Sequence, residues 1–210
     1  MKRYQLIELE DQAWFPPLLR DYATDYLQFV VTRQVPYRVL LPQVLEAVRR
    51  TGARQIVDLC SGAGGPWPVL LPLIRQRGLD PALLLTDRYP NRGRPPDELS
   101  VRVAADARHV PVGGQALRTI FAGMHHFPPD EARAILRDAT REGHGILVVE
   151  GTARTVLSLL TVLVSALLVF LLTPLIPGRR LGRLFWTYVI PAVPFVVAFD
   201  GVVSCLRTYT

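Results

Sequence analysis

Apolar residues recur with two different periods along this chain. Tyr22, Tyr26, Phe29 and Val30 fall at helical spacing, as do Leu41, Val44, Leu45 and Val48, and Gly52 follows as a stop for the second helix. From residue 55 the pattern changes to short apolar runs closed by an acid or by turn residues, at 56–59, 82–86, 101–105, 117–122 and 146–149. Runs of this length, bounded by turn signals, predict buried strands. Residues 66–75 and about 128–140 read as helices between them, the first with Pro66 at an early position, where its missing N–H costs nothing. Strands alternating with helices or loops imply an α/β fold with a mostly parallel sheet and helices on both faces.

Beyond residue 150 neither period continues. Residues 155–178 are 24 in a row without a charge, mostly Leu and Val, with no polar face. A run longer than about 18 residues is a candidate to cross a membrane. Arg179, Arg180 and Arg183 follow and read as an interface. A second uncharged run, 184–199, has 16 residues and is broken by Pro191 and Pro194, which fits a reentrant or interfacial segment with Trp186 and Tyr188 at headgroup level. The alternative is that both runs form a buried core or a dimer face. The chain thus divides into a helical region 1–52, an α/β domain 53–150 and a hydrophobic region 151–210. Within the first region, Trp14, Phe15, Pro16 and Pro17 mark an arm or short helix that packs an aromatic anchor on the domain, or a lid above it.

Charge sharpens this division. The formal net charge is +6, and Lys2 is the only lysine. Residues 151–210 hold five Arg and one Asp, a local excess inside the most apolar part of the chain. That placement points to a membrane surface more than to nucleic acid, and no zinc spacing or recognition-helix signature is present. Cys60 and Cys205 are too few for a disulfide framework and fit a reducing compartment. The basic start is followed at once by Glu8, Glu10 and Asp11, which is unlike a signal peptide.

The chemistry concentrates at QIVDLCSGAGGPW, residues 55–67. A strand running into Gly62, Gly64 and Gly65 and then a helix is a layout for handling nucleotides. Trp67 stands where G-x-G-x-x-G needs its third glycine, and no P-loop string occurs. What remains is an acid, three residues, then G-x-G. This resembles motif I of the Rossmann-like S-adenosylmethionine-dependent methyltransferases, with Cys60 where that motif often has another glycine. The resemblance covers roughly residues 53–150 and implies a strand order 3-2-1-4-5. It implies S-adenosylmethionine as cofactor, its methionine end at Asp58 and the turn Cys60, Ser61, Gly62, Ala63, Gly64 and Gly65. It further implies that Asp87 holds the ribose hydroxyls, and that Asp106 with Ala107 meets the adenine. The stretch from Gly123 to Phe127 would lie under the transferred methyl, with His125 or His126 as a candidate general base or as a residue that caps and packs. There are departures: Leu117 and Arg118 stand where an acid often precedes the fourth strand, no N-P-P-Y or D-P-P-Y string occurs, and no sequence remains here for the family's closing strands. The expectation is a membrane-associated methyltransferase, with its cofactor domain in the cytoplasm, acting on a lipid or other apolar small molecule. Its rival is a non-catalytic membrane protein whose Rossmann-like domain binds a ligand or partner.

Overall fold

The structure is a computed structural model; it describes residues 1–33, 37–93, 101–110, 115–141, 145–178 and 180–209, with backbone alone at 141 and 180. Five strands, β1 (Gln55–Leu59), β2 (Ala82–Asp87), β3 (Val101–Ala104), β4 (Ala116–Phe121) and β5 (Gly145–Val149), form one sheet in the order β3-β2-β1-β4-β5. All four pairings are parallel, with Ile56 opposite both Leu83 and Leu117. The expected α/β fold and strand order are therefore present. The order reverses between β1 and β4, and every strand ends at the same edge, which is where open α/β sheets take ligands. Burial follows position: β4 is buried at every residue, whereas β3 at the edge exposes Val101 and Val103.

The period-2 alternation of the strands sorts the core into two faces. Ile56, Leu83, Leu85, Leu117 and Phe121 pack against helices α2 (Leu41–Thr51) and α3 (Trp67–Arg75). Val57, Leu59 and Ile120 pack on the other face with Ala132 and Ile135 of α4 (Pro129–Arg141). Gly52 ends α2 as predicted, in the left-handed conformation (φ 60°) with its N–H bonded to Arg49 O. Trp67, whose bulk breaks the dinucleotide fingerprint, is fully buried and stacks edge-on against Phe121.

The two ends of the chain do not form separate layers. Helix α1 (Pro17–Arg33) buries Tyr22, Tyr26 and Phe29 against Ala166 and Val169 of α5 (Val156–Leu172) and Val193, Val196 and Val197 of α7 (Ala192–Arg207). Phe15 joins this cluster, while Trp14 points outward. The stretch Val156–Leu175 is long and apolar enough to cross a bilayer by length and composition, and most of its surface is uncovered by the rest of the chain. Leu181–Val189 and Ala192–Arg207 form a second apolar pair, bent by 74° at Ile190–Pro191. At the start of that pair, α6 (Arg180–Leu184) corrects one expectation. Arg183 is not at an interface but fully buried, donating to Asp25 Oδ2 of α1 at 2.9 Å and to Ile176 O at 3.0 Å. Arg179 lies outside the described residues.

Candidate functional site

The glycine turn after β1 is built by backbone conformations that side chains resist. Cys60 has φ 56°, and Gly62, Gly64 and Gly65 have φ 51°, 115° and 47°. A positive φ explains why a glycine would suit position 60, since a β-carbon there is strained. Ala122, directly after β4, has φ 51°. The two strained non-glycine residues thus follow the two neighbouring strands at which the order reverses, and strain of this kind gathers at functional sites. Gly123 completes the junction: a β-carbon there would lie 2.9 Å from Cys60 Cβ.

The turn is held by few bonds of its own. Ser61 N donates to Thr86 O at 3.0 Å, and Gly64 N to Ser61 O at 2.7 Å. Arg102 Nη2 donates to Ala63 O at 3.0 Å. Among the described residues, Ser61 Oγ is buried without a hydrogen-bond partner, and a β-carbon on Gly65 would meet nothing within 4 Å. Helix α1 forms one wall, with Thr24 Cγ2 3.6 Å from where a Gly62 β-carbon would stand. Beneath the turn, Asp58 is almost fully buried, accepting from Thr119 Oγ1 at 2.6 Å. Burial pushes its pKa up to about 7, and the charge of Asp87 adds to this, against the Thr119 and Trp67 donors. Burial likewise raises the Cys60 thiol.

The other two acids stand at successive strand ends. Asp87 Oδ2 accepts from Gly62 N and Oδ1 from Tyr89 N, both at 2.8 Å, so β2 ends on the turn that β1 begins. Asp106 is clasped by its neighbour: Oδ1 accepts from Arg108 N and Nε at 3.0 and 2.9 Å, and Oδ2 from Arg108 Nη2 at 2.5 Å. That hydrogen bonding holds its carboxyl down to about 2. Ala107 is buried against the α4 face.

His125 and His126, in a single 3₁₀ turn after β4, face inward. Their rings stack at 4.4 Å. Glu150, the residue after β5, takes the His125 N–H at 3.0 Å and Nδ1 at 2.8 Å. The N-terminal arm supplies the rest. Glu8 Oε1 lies 3.7 Å from His125 Nε2 and Glu8 Oε2 3.3 Å from His126 Nδ1, and Asp11 Oδ1 is 2.8 Å from His126 Nδ1. Burial alone would depress the His126 ring, but Glu8 and Asp11 raise its pKa to about 9. The arm is in turn fixed by α7. Asp200 accepts from Leu9 N and Glu10 N at 2.7 and 3.0 Å, and Arg207 Nη1 reaches Asp11 Oδ2 at 2.8 Å and Glu8 Oε1 at 3.3 Å. Tyr4 N bonds Leu206 O, and Arg207 also donates to His125 O and His126 O.

Sequence reasoning placed the turn, the acids and the histidines at one edge of the sheet. It missed Glu8, Asp11, Glu150, Asp200 and Arg207 as partners. The available signal was two charges, Asp200 and Arg207, persisting in an apolar helix and spaced to share one face. Neither any protein-family model nor any curated protein matches this chain, so the reading of the site rests on its own geometry and chemistry.

Proposed function

We propose that this chain is a membrane-associated S-adenosylmethionine-dependent methyltransferase with an apolar acceptor. The observation that carries the reading is the turn at residues 60–65. It has four positive-φ residues, an orphaned Ser61 hydroxyl and a direct bond to the acid that ends the next strand. The remaining acceptor capacity of the acids fits an adenosine. A carboxylate offers about four lone-pair positions. Asp87 uses one on each oxygen and keeps one on each for two ribose hydroxyls. Asp106 gives three to Arg108 and keeps one, on Oδ2, for an amine. The bound cofactor supplies an activated methyl on a sulfonium. The chain's residues bind it, orient it and exclude water, which is where rate is gained when the donor is already reactive. His125 and His126, engaged by carboxylates, serve in this reading to place the loop beneath the methyl.

Support for the membrane lies in the uncovered side of α5. Leu157, Leu160, Val164, Leu167 and Leu171 are exposed along it, as are Phe195 and Phe199 on α7. So large an apolar surface needs a cover. The far end of α5 returns to the domain: Arg183 is bonded to Asp25, next to Thr24, which borders the glycine turn. We therefore favour a reentrant or tilted hairpin, with the domain and Arg183 both on the cytoplasmic side. Leu181→Cys should resist a membrane-impermeant thiol reagent added outside intact cells; labelling there would overturn this arrangement.

The function itself is tested by titrating the full-length protein in detergent with S-adenosylmethionine and, separately, with NADH. Binding of the first alone is expected, and loss of binding in Gly62→Val, because a β-branched residue resists φ 51°. Labelled cofactor incubated with a cell extract should leave label in the organic phase. Binding of NADH instead would overturn the cofactor; label only in water-soluble products would overturn the apolar acceptor.

A further inference from the structure

We propose that Glu8, His125 and His126 form a site for a divalent transition metal, zinc by chemistry, that pins the N-terminal arm to the loop after β4. The inference does not rest on the methyltransferase reading. It begins from a conflict among hydrogen-bond roles. Glu150 accepts from His125 Nδ1, so in the neutral ring Nε2 carries a lone pair. That lone pair faces Glu8 Oε1 at 3.7 Å: two acceptors look at each other across a gap too long for a hydrogen bond. His126 Nδ1 stands 2.8 Å from Asp11 Oδ1 and 3.3 Å from Glu8 Oε2, within reach of both carboxylates. Side chains of Glu8 and His125 are 2% and 3% exposed, so an ion between them is shielded from bulk solvent. A cation between Glu8, His125 and His126 meets all three donors.

The spacing suits such an ion. Zinc bonds of ~2.0–2.1 Å in a tetrahedron set donor atoms roughly 3.3 Å apart. One candidate donor from each of Glu8, His125 and His126 lies within 4.8 Å of the others. The supporting partners are those that metal sites use. A carboxylate holds the non-ligating nitrogen of a ligand histidine, here Glu150 on His125 Nδ1. An outer donor holds the ligand carboxylate: Ser204 Oγ on Glu8 Oε1 at 3.1 Å. Two nitrogens and one carboxylate suit zinc better than magnesium or calcium, which prefer oxygen donors. Three protein ligands leave a fourth position open.

The test uses the full chain in detergent, stripped with a chelator, and Co²⁺ or Zn²⁺ as the probe. One equivalent of metal per chain is expected, and the Co²⁺ form should show the intense visible absorption of a four-coordinate centre. Glu8→Gln and His126→Ala should each weaken Zn²⁺ binding by more than about 100-fold, and Glu150→Gln by roughly 10–100-fold. His109→Ala, at an exposed loop histidine, should leave it unchanged. The wild-type spectrum stands alone should a variant fail to fold. No stoichiometric uptake by folded wild-type protein, or undiminished binding in both ligand variants, would overturn the proposal.

Discussion

Replacing Asp58 with Asn should make the protein less stable in acid and more stable in base. Asp58 sits on the β1 face that meets α3, almost fully buried, with Thr119 Oγ1 at 2.6 Å and Asp87 as its charged neighbour. Burial moves its pKa from 3.8 to about 7, so the folded state holds a proton that the unfolded chain releases. The folded pKa is the higher one, so its contribution is complete below about pH 4 and is lost as pH rises through 7. Each pKa unit is worth 1.36 kcal/mol, which sets the loss on the order of 4 kcal/mol. Asn keeps an acceptor for Thr119 but brings amide donors that cost about 1–3 kcal/mol if unpaired. The variant should therefore start about 1–3 kcal/mol below wild type near pH 4 and finish above it near pH 8. Reversible denaturant unfolding in detergent, followed by tryptophan fluorescence at a series of pH values, measures both curves. Groups elsewhere titrate alike in the two proteins and cancel in the difference. Parallel curves would refute the claim that Asp58 is protonated in the folded state.

Other outcomes follow from the same geometry. Gly123→Ala should cost about 1–3 kcal/mol through overpacking against Cys60 Cβ and Ile120 Cγ2. Cys60→Gly should relieve its left-handed strain and remove that clash, so a double-mutant cycle by thermal melting should show coupling between positions 60 and 123; additive effects would contradict the contact. Arg183→Met should destabilise by about 3–5 kcal/mol by stranding Asp25, and adding Asp25→Asn should restore part of it, as read by chemical denaturation. Changing Leu160, Leu167 and Leu171 together to Gln should release the protein from vesicles in a flotation assay while leaving its circular dichroism unchanged, because all three side chains point away from the core.

The sheet was legible because its information is local. Each strand is a short apolar run closed by an acid or a glycine, and Gly52 announces the end of α2 by chemistry alone. The resemblance of residues 55–67 to a methyltransferase motif supplied the strand order, which local pattern does not specify. Long-range pairings were hidden. Glu8 and His126 are far apart in the chain, and nothing in the string ELED says that it folds back beneath MHH. Arg183 reads as an interfacial charge by its position after an apolar run, yet its partner Asp25 lies 158 residues earlier. The fully uncharged run 155–178 has no polar face, so its division into a covered and an uncovered side could come only from α1 and α7.

The clasp between the arm and α7 sets an order of assembly. Leu9 and Glu10 leave the ribosome early, but their backbone N–H groups bond Asp200, and Tyr4 bonds Leu206. During synthesis the arm must wait, its acids solvated, while the sheet forms and the apolar helices find their environment. Domains generally fold during synthesis from the N-terminal side; here a segment made before every strand of the described sheet locks only after α7. The histidine pair after β4 thus gains Glu8 and Asp11 only once α7 is in place. A nascent chain stalled before residue 200 would contain every strand of the sheet and still lack a finished histidine cluster, so translation itself acts as a timer on maturation.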